Sequence, residues 1–116
     1  MKIALSLQNG IDLSGHPGQC SQFLIYSIEE NKVASKQLLE LDFENTLHTV
    51  FFNQSPPYRD HPLFECQIII SEPTGCGFVN KVKIKDIEAI QTLEKDPDRI
   101  ISKYLDGSLE LSEPIS

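Results

Sequence analysis

The sequence predicts an α/β domain built on a mixed sheet, and three observations carry that prediction. The first half holds three extended runs bounded by turn residues, the first of them alternating with the two-residue period of a strand. In the second half, Ile68-Ile69-Ile70 is a continuous apolar run of the kind that strands covered on both faces require. Asp96-Pro97-Asp98, followed by an apolar stripe and then Gly107, carries the start and stop signals of a helix.

The elements follow in order. Lys2 to Gln8 sets Ile3, Leu5 and Leu7 on one side against Ala4 and Ser6 on the other, a strand that Asn9-Gly10 ends. Gly10 to Gln19 holds three Gly, one Pro, Asp and Ser, and reads as a flexible loop. A second strand runs from Gln22 to Ile28, Glu29-Glu30-Asn31-Lys32 turns, and Val33 to Leu41 returns as its antiparallel partner. Asn45 reads as the N-cap of a helix bearing Leu47, Val50 and Phe51, which ends before Ser55-Pro56-Pro57 because a residue preceding proline is pushed out of the helical region. His61-Pro62 opens a short helical turn, and Gln67 to Ser71 reads as the central strand. Glu72 to Gly77 forms a turn into a helix starting near Gly75, Ile84 to Ile90 reads as a strand, and Ile100, Ile101, Tyr104 and Leu105 stripe the last helix. The order β-β-β-α-β-α-β-α gives a five-stranded mixed sheet with three helices.

Length and charge exclude several classes of function. A chain of 116 residues and 13.1 kDa supports one core, with roughly 6400 Å² exposed after folding. We read residues 1–109 as one domain and 110–116 as an acidic C-terminal tail. Ten Lys and Arg against seventeen Asp and Glu leave a net charge of -7, which repels phosphate backbones and argues against nucleic acid as partner. No apolar run approaches the roughly 20 residues that span a bilayer, and the N-terminal stretch is too short for a secretory signal, so a cytoplasmic protein is expected. Three cysteines at irregular spacing make no disulfide framework, which leaves thiols or metal ligands.

Chemistry could reside in three places. His16 and Cys20 offer an imidazole and a thiol in the loop after the first strand, where open α/β sheets place ligands. The alternative is a solvated His16 and a Cys20 that acts as a small buried hydrophobe. His61 and Cys66 flank the approach to the Ile-rich strand, and Cys66, adjoining apolar residues, reads first as part of the core. Gly75-Cys76-Gly77 precedes a helix, where the dipole and free amides favour a thiolate or cradle an anion; the competing reading is an ordinary turn. His48, on the first helix, reads as solvated or structurally satisfied.

The order of these features resembles the dinitrogenase iron-molybdenum cofactor biosynthesis family. Met1-Lys2-Ile3-Ala4, His16-x-Gly18, Phe23-Leu24-Ile25-Tyr26, His61-Pro62, Cys66, Gly75-x-Gly77 and Tyr104-Leu105-x-Gly107-x-Leu109 carry the resemblance over about residues 1 to 109. It implies a ribonuclease H-like, three-layer fold in a small binding domain that carries iron-sulfur or iron-molybdenum cluster precursors. It implies cofactor contacts at Gly18, Gly75 and Gly77 and metal ligation at His16, His61 and Cys66, with Cys20 and Cys76 as candidates from the residues alone. A cluster-assembly or recipient protein, or a second copy of the chain, is the expected partner, and no catalysis is expected. Two other readings stay open: a thiol-dependent redox sensor or enzyme using Cys76, and a plain protein-interaction module.

Overall fold

A computed structural model describes the backbone of residues 1–53, 61–73 and 76–112, and the side chains of all of these except 52, 53, 76 and 77. Five strands, β1 (Lys2–Ser6), β2 (Gln22–Glu29), β3 (Lys32–Glu40), β4 (Ile68–Ser71) and β5 (Glu88–Gln91), form one sheet in the order β3-β2-β1-β4-β5. Three helices accompany it, α1 (Leu47–Asn53), α2 (Cys76–Lys83) and α3 (Pro97–Asp106). The sheet is mixed: β1 pairs antiparallel with β2 and parallel with β4, which in turn pairs parallel with β5. The expected α/β architecture is thus present, and the folded chain exposes 6607 Å².

Strand alternation sorts the core into two layers. Ile3 and Leu5 of β1, Tyr26 and Ile28 of β2, Ile68 and Ile70 of β4 and Ile90 of β5 pack with Ile100 and Ile101 of α3 on one face. Ala4, Phe23 and Ile69 point the other way, to Leu47, Val50 and Phe51 of α1 and Phe78 and Val82 of α2. The triple isoleucine is buried on both faces, as a strand between two helical layers must be. It is nevertheless not the central strand: β1 holds the centre, because it alone takes the antiparallel hairpin on one side and the parallel crossover on the other.

Local chemistry explains the boundaries. Between β2 and β3, Glu30 and Asn31 both adopt left-handed backbone (φ 52° and 61°), the two-residue turn that matches strand twist. Asp96 accepts the amides of Asp98 and Arg99, Pro97 follows, and Gly107 closes α3 at φ 81° with its own and the next amide turned back to Tyr104 and Lys103. Two expectations are corrected. Asn45 ends a 3-10 turn (Phe43–Asn45), and Thr46, whose Oγ1 accepts the Thr49 amide, caps α1 instead. The strand expected over 84–90 begins only at Glu88, because a turn at 84–86 with Asp86 at φ 59° separates it from α2 and leaves Ile84 exposed. Residues 108–112 are tied down: the Ser112 amide donates to Gln91 O at 2.7 Å and Thr92 Oγ1 to Glu110 O at 2.8 Å. Among the described residues no helix is long and apolar enough to cross a membrane.

Candidate functional site

The loop after β1 is pinned at several points rather than free. Asn9 Oδ1 accepts the amides of Ile11 and Asp12, the Leu13 amide donates to Lys95 O, and the Leu13 side chain is fully buried. The Ser14 amide donates to Ser6 O at 3.0 Å and the Gly15 amide to the Glu72 carboxylate at 3.3 Å. Gly15, at φ 79°, lies so close to Gln8 that a Cβ there would overlap its side chain. Lys95 pairs with the same Glu72, and that hydrogen bond holds the carboxyl below its ordinary range. The loop therefore spans the C-terminal ends of β1 and β4 and delivers His16 there, the end at which open α/β sheets bind ligands.

His16 sits in a cavity of about 180 Å³ lined by His16, Gly18, His48, Phe51, Phe78 and Lys81, at the meeting of the loop with α1 and α2. Its ring meets Phe78 edge-on at 5.9 Å. The Gly18 amide donates to His16 Nδ1 at 3.0 Å, so the neutral ring carries its proton on Nε2 and is a hydrogen-bond donor. Gly18 is needed for this: a Cβ would stand 3.0 Å from His16 Cε1. Its carbonyl accepts the His48 amide at 2.6 Å, which docks the loop on the first turn of α1. His16 is an exposed residue whose ring is partly desolvated; that desolvation, and then the nearby charge of His48, pull its pKa below the ordinary value. Lys81 Nζ lies 5.8 Å from the centre of the Phe51 ring. Two imidazoles and an ammonium thus border one small cavity in a chain of net charge -7.

The remaining expected ligands separate. Cys20 is buried, donates its thiol to Gln22 O at 2.9 Å, and has its pKa raised by burial. Cys66 is buried in the same apolar layer, and burial pushes its thiol up to about 11, far from a thiolate. His61 is 5 % exposed, and both ring nitrogens are used: Nδ1 accepts the Leu63 amide at 3.1 Å and Nε2 donates to Asn45 O at 2.6 Å. Cys20, Cys66 and His61 are thus engaged by the core or the backbone and do not converge with His16. Among the described residues no three His, Cys, Asp or Glu side chains converge on a metal-sized site. Gly75 lies outside the described residues; Cys76 and Gly77 form the first turn of α2, and the Cys76 side chain lies outside the description.

Sequence reasoning missed two features. His48 was read as solvated or structurally satisfied and Lys81 was not singled out, because their place beside His16 depends on two helices converging, although Lys81 follows Phe78 by three residues and so shares its helix face. The second is a polar row: Ser6, Ser71 and Gln91 stand at the C-terminal ends of the three parallel strands, two residues beyond Ala4, Ile69 and Ala89, and hence on the α1/α2 face. All three are at most 2 % exposed, yet Ser6 Oγ and both amide atoms of Gln91 have no hydrogen-bond partner among the described residues. Three polar residues ending apolar strands are the signal that could have revealed it.

The chain matches the family model described as dinitrogenase iron-molybdenum cofactor over residues 1–107. It is 28 % identical over 113 residues to the uncharacterized protein MJ0580 of Methanocaldococcus jannaschii, covering 97 % of this chain and 92 % of the relative. The crystal structure of PH0822 superposes with a TM-score of 0.71 at 16 % identity, over 97 % of this chain and 95 % of that one. The proposed dinitrogenase MJ0327 of Methanocaldococcus jannaschii superposes with a TM-score of 0.69 at 23 % identity, over 99 % and 97 %. With the strand order, the His16 loop and the family match over nearly the whole length, the chain belongs to the dinitrogenase iron-molybdenum cofactor family.

Proposed function

We propose that this domain is a non-catalytic cytoplasmic carrier that binds an anionic iron-sulfur or iron-molybdenum cluster precursor as cargo and passes it to a cluster-assembly or recipient protein. The observation that carries this reading is the cavity bordered by His16, His48 and Lys81, a concentration of donors and positive charge in an otherwise acidic chain. The buried Ser6 and Gln91 groups, still able to donate, lie on the same face at the same end of the parallel strands. An anion bound at that end would find neutral and charged donors together. The His16 ring, with Nδ1 taken by the Gly18 amide, serves as a donor to a cluster sulfide or oxo group; direct ligation would require that bond to break. Cys76, at the first position of α2, is the thiol assigned to the cargo.

Anaerobic incubation with iron and sulfide, with and without molybdate, followed by absorption spectroscopy and metal analysis, tests the proposal. Wild type is expected to gain visible absorption and stoichiometric iron, His16→Ala to lose most of it, and Cys76→Ser to weaken it. If wild type takes up no metal, or if His16→Ala and Lys81→Ala both bind as wild type does, the carrier reading at this cavity is wrong.

A further inference from the structure

The two edges of the sheet are treated differently. The β5 edge is joined by the C-terminal chain through the Ser112 amide, whereas no described strand pairs with the outer side of β3, at nine residues the longest strand. Eight of those nine residues are exposed, including Val33 and Leu38, each at 45 %. The Leu7 amide donates to Gln22 O, so Gln22 and alternate residues of β2 face β1, while Phe23, Ile25 and Ser27 bond to Leu39, Gln37 and Ser35 of β3. The Leu41 amide donating to Ser21 O fits the same phase. Lys36, Leu38 and Glu40 therefore turn their amides and carbonyls outward. Edges are often guarded by an outward lysine, but Lys36 reaches back to Asp98 at 3.2 Å.

We propose that β3 pairs with β3 of a second copy of this chain, antiparallel and with Leu38 opposite Leu38, to make a continuous ten-stranded sheet. This register sets Lys36 against Glu40 of the other copy twice, one opposite-charge pair on each side of a leucine contact. Sliding the copy to place Lys36 opposite Lys36 puts like charges at the centre. No β3 residue lines the His16 cavity, so the pairing is independent of cargo binding.

Sedimentation velocity of the full chain from micromolar to millimolar concentration tests the pairing. A monomer–dimer equilibrium is expected. Glu40→Lys alone and Lys36→Glu alone each set like charges across the interface and should weaken it roughly tenfold, while mixing the two variants restores both pairs and the dimer. Leu38→Pro removes an outward amide that β2 does not use, so it should abolish the dimer while circular dichroism stays as in wild type. A wild type that is monomeric throughout, or a dimer indifferent to Glu40→Lys and Leu38→Pro, overturns the proposal. Rescue of Glu40→Lys by Lys32→Glu and not by the Lys36→Glu partner overturns this register. None of these outcomes changes metal uptake, so the carrier reading stands or falls separately.

Discussion

The two faces of the sheet are built to different rules. On the α3 face, isoleucine, leucine and tyrosine side chains fill the layer, the helix is capped at both ends, and Tyr26 donates to Asp98 at 2.6 Å across the strand-helix seam. On the α1/α2 face the apolar layer includes two cysteines, the strand ends carry a polar row with unpartnered atoms, and an imidazole-bordered cavity opens between helices. The contrast separates a layer built for stability from one that leaves polar groups over. The α3 face is the apolar, doubly capped side of the fold, whereas the α1/α2 face keeps buried donors without a partner among the described residues.

Substitutions on each face should respond accordingly. The largest effect is expected for Ile100→Ala, which empties a fully buried position on the α3 face and should cost about 3 kcal/mol in urea unfolding. His61→Ala is next, at about 2 kcal/mol, because it orphans the Leu63 amide and the Asn45 carbonyl; a smaller loss would mean that water replaces both bonds. Asp96→Ala removes the α3 cap and should cost about 1 kcal/mol. Ser6→Ala lies on the α1/α2 face, as His61 does, but carries the opposite sign: removing a buried hydroxyl without a partner among the described residues should leave stability unchanged or raise it by up to about 1 kcal/mol. A clear destabilisation by Ser6→Ala would show that the hydroxyl is bonded in solution and would erase the contrast.

The smallest effect is in pH dependence. The folded-state pKa of His16 is depressed by burial and then by His48, so the unfolded chain takes up that proton first as pH falls. Stability from the neutral ring is present above the ordinary value of 6.5 and is lost as pH falls from there toward the folded value. His16→Ala should therefore flatten the stability curve between pH 7 and pH 5, measured by urea midpoints. Asp98 behaves with the usual carboxylate sign. The Tyr26 hydroxyl and Lys36 hold it low, so its contribution appears above its unfolded pKa and fades only in strong acid.

How much of this was legible in the sequence depends on how local each signal is. Asp96-Pro97 and Gly107 were readable because capping and left-handed closure need only a few neighbouring residues. The position of β1 at the centre was not, since centrality depends on which strands pair, and the triple isoleucine looks equally central when flanked by any two strands. His16 and Gly18 were named from a loop pattern, and the Gly18 amide on the ring explains their spacing. The surroundings of His61 were not legible, because its sequence context shows an imidazole before a proline, while the second bond, to Asn45 sixteen residues earlier, exists only in the folded chain.

The sequence by itself determined the class of fold, the five strands and three helices and the net negative charge, because periodicity, turn chemistry and charge are properties of short windows and of sums. Tertiary structure alone decided which thiols and imidazoles are core and which face a cavity. It brought His48 and Lys81 to His16, locked His61 and Cys66 away, and aligned Ser6, Ser71 and Gln91 across three strands. Those outcomes depend on long-range pairing and burial, which set each group's partners and desolvation and which no local pattern encodes.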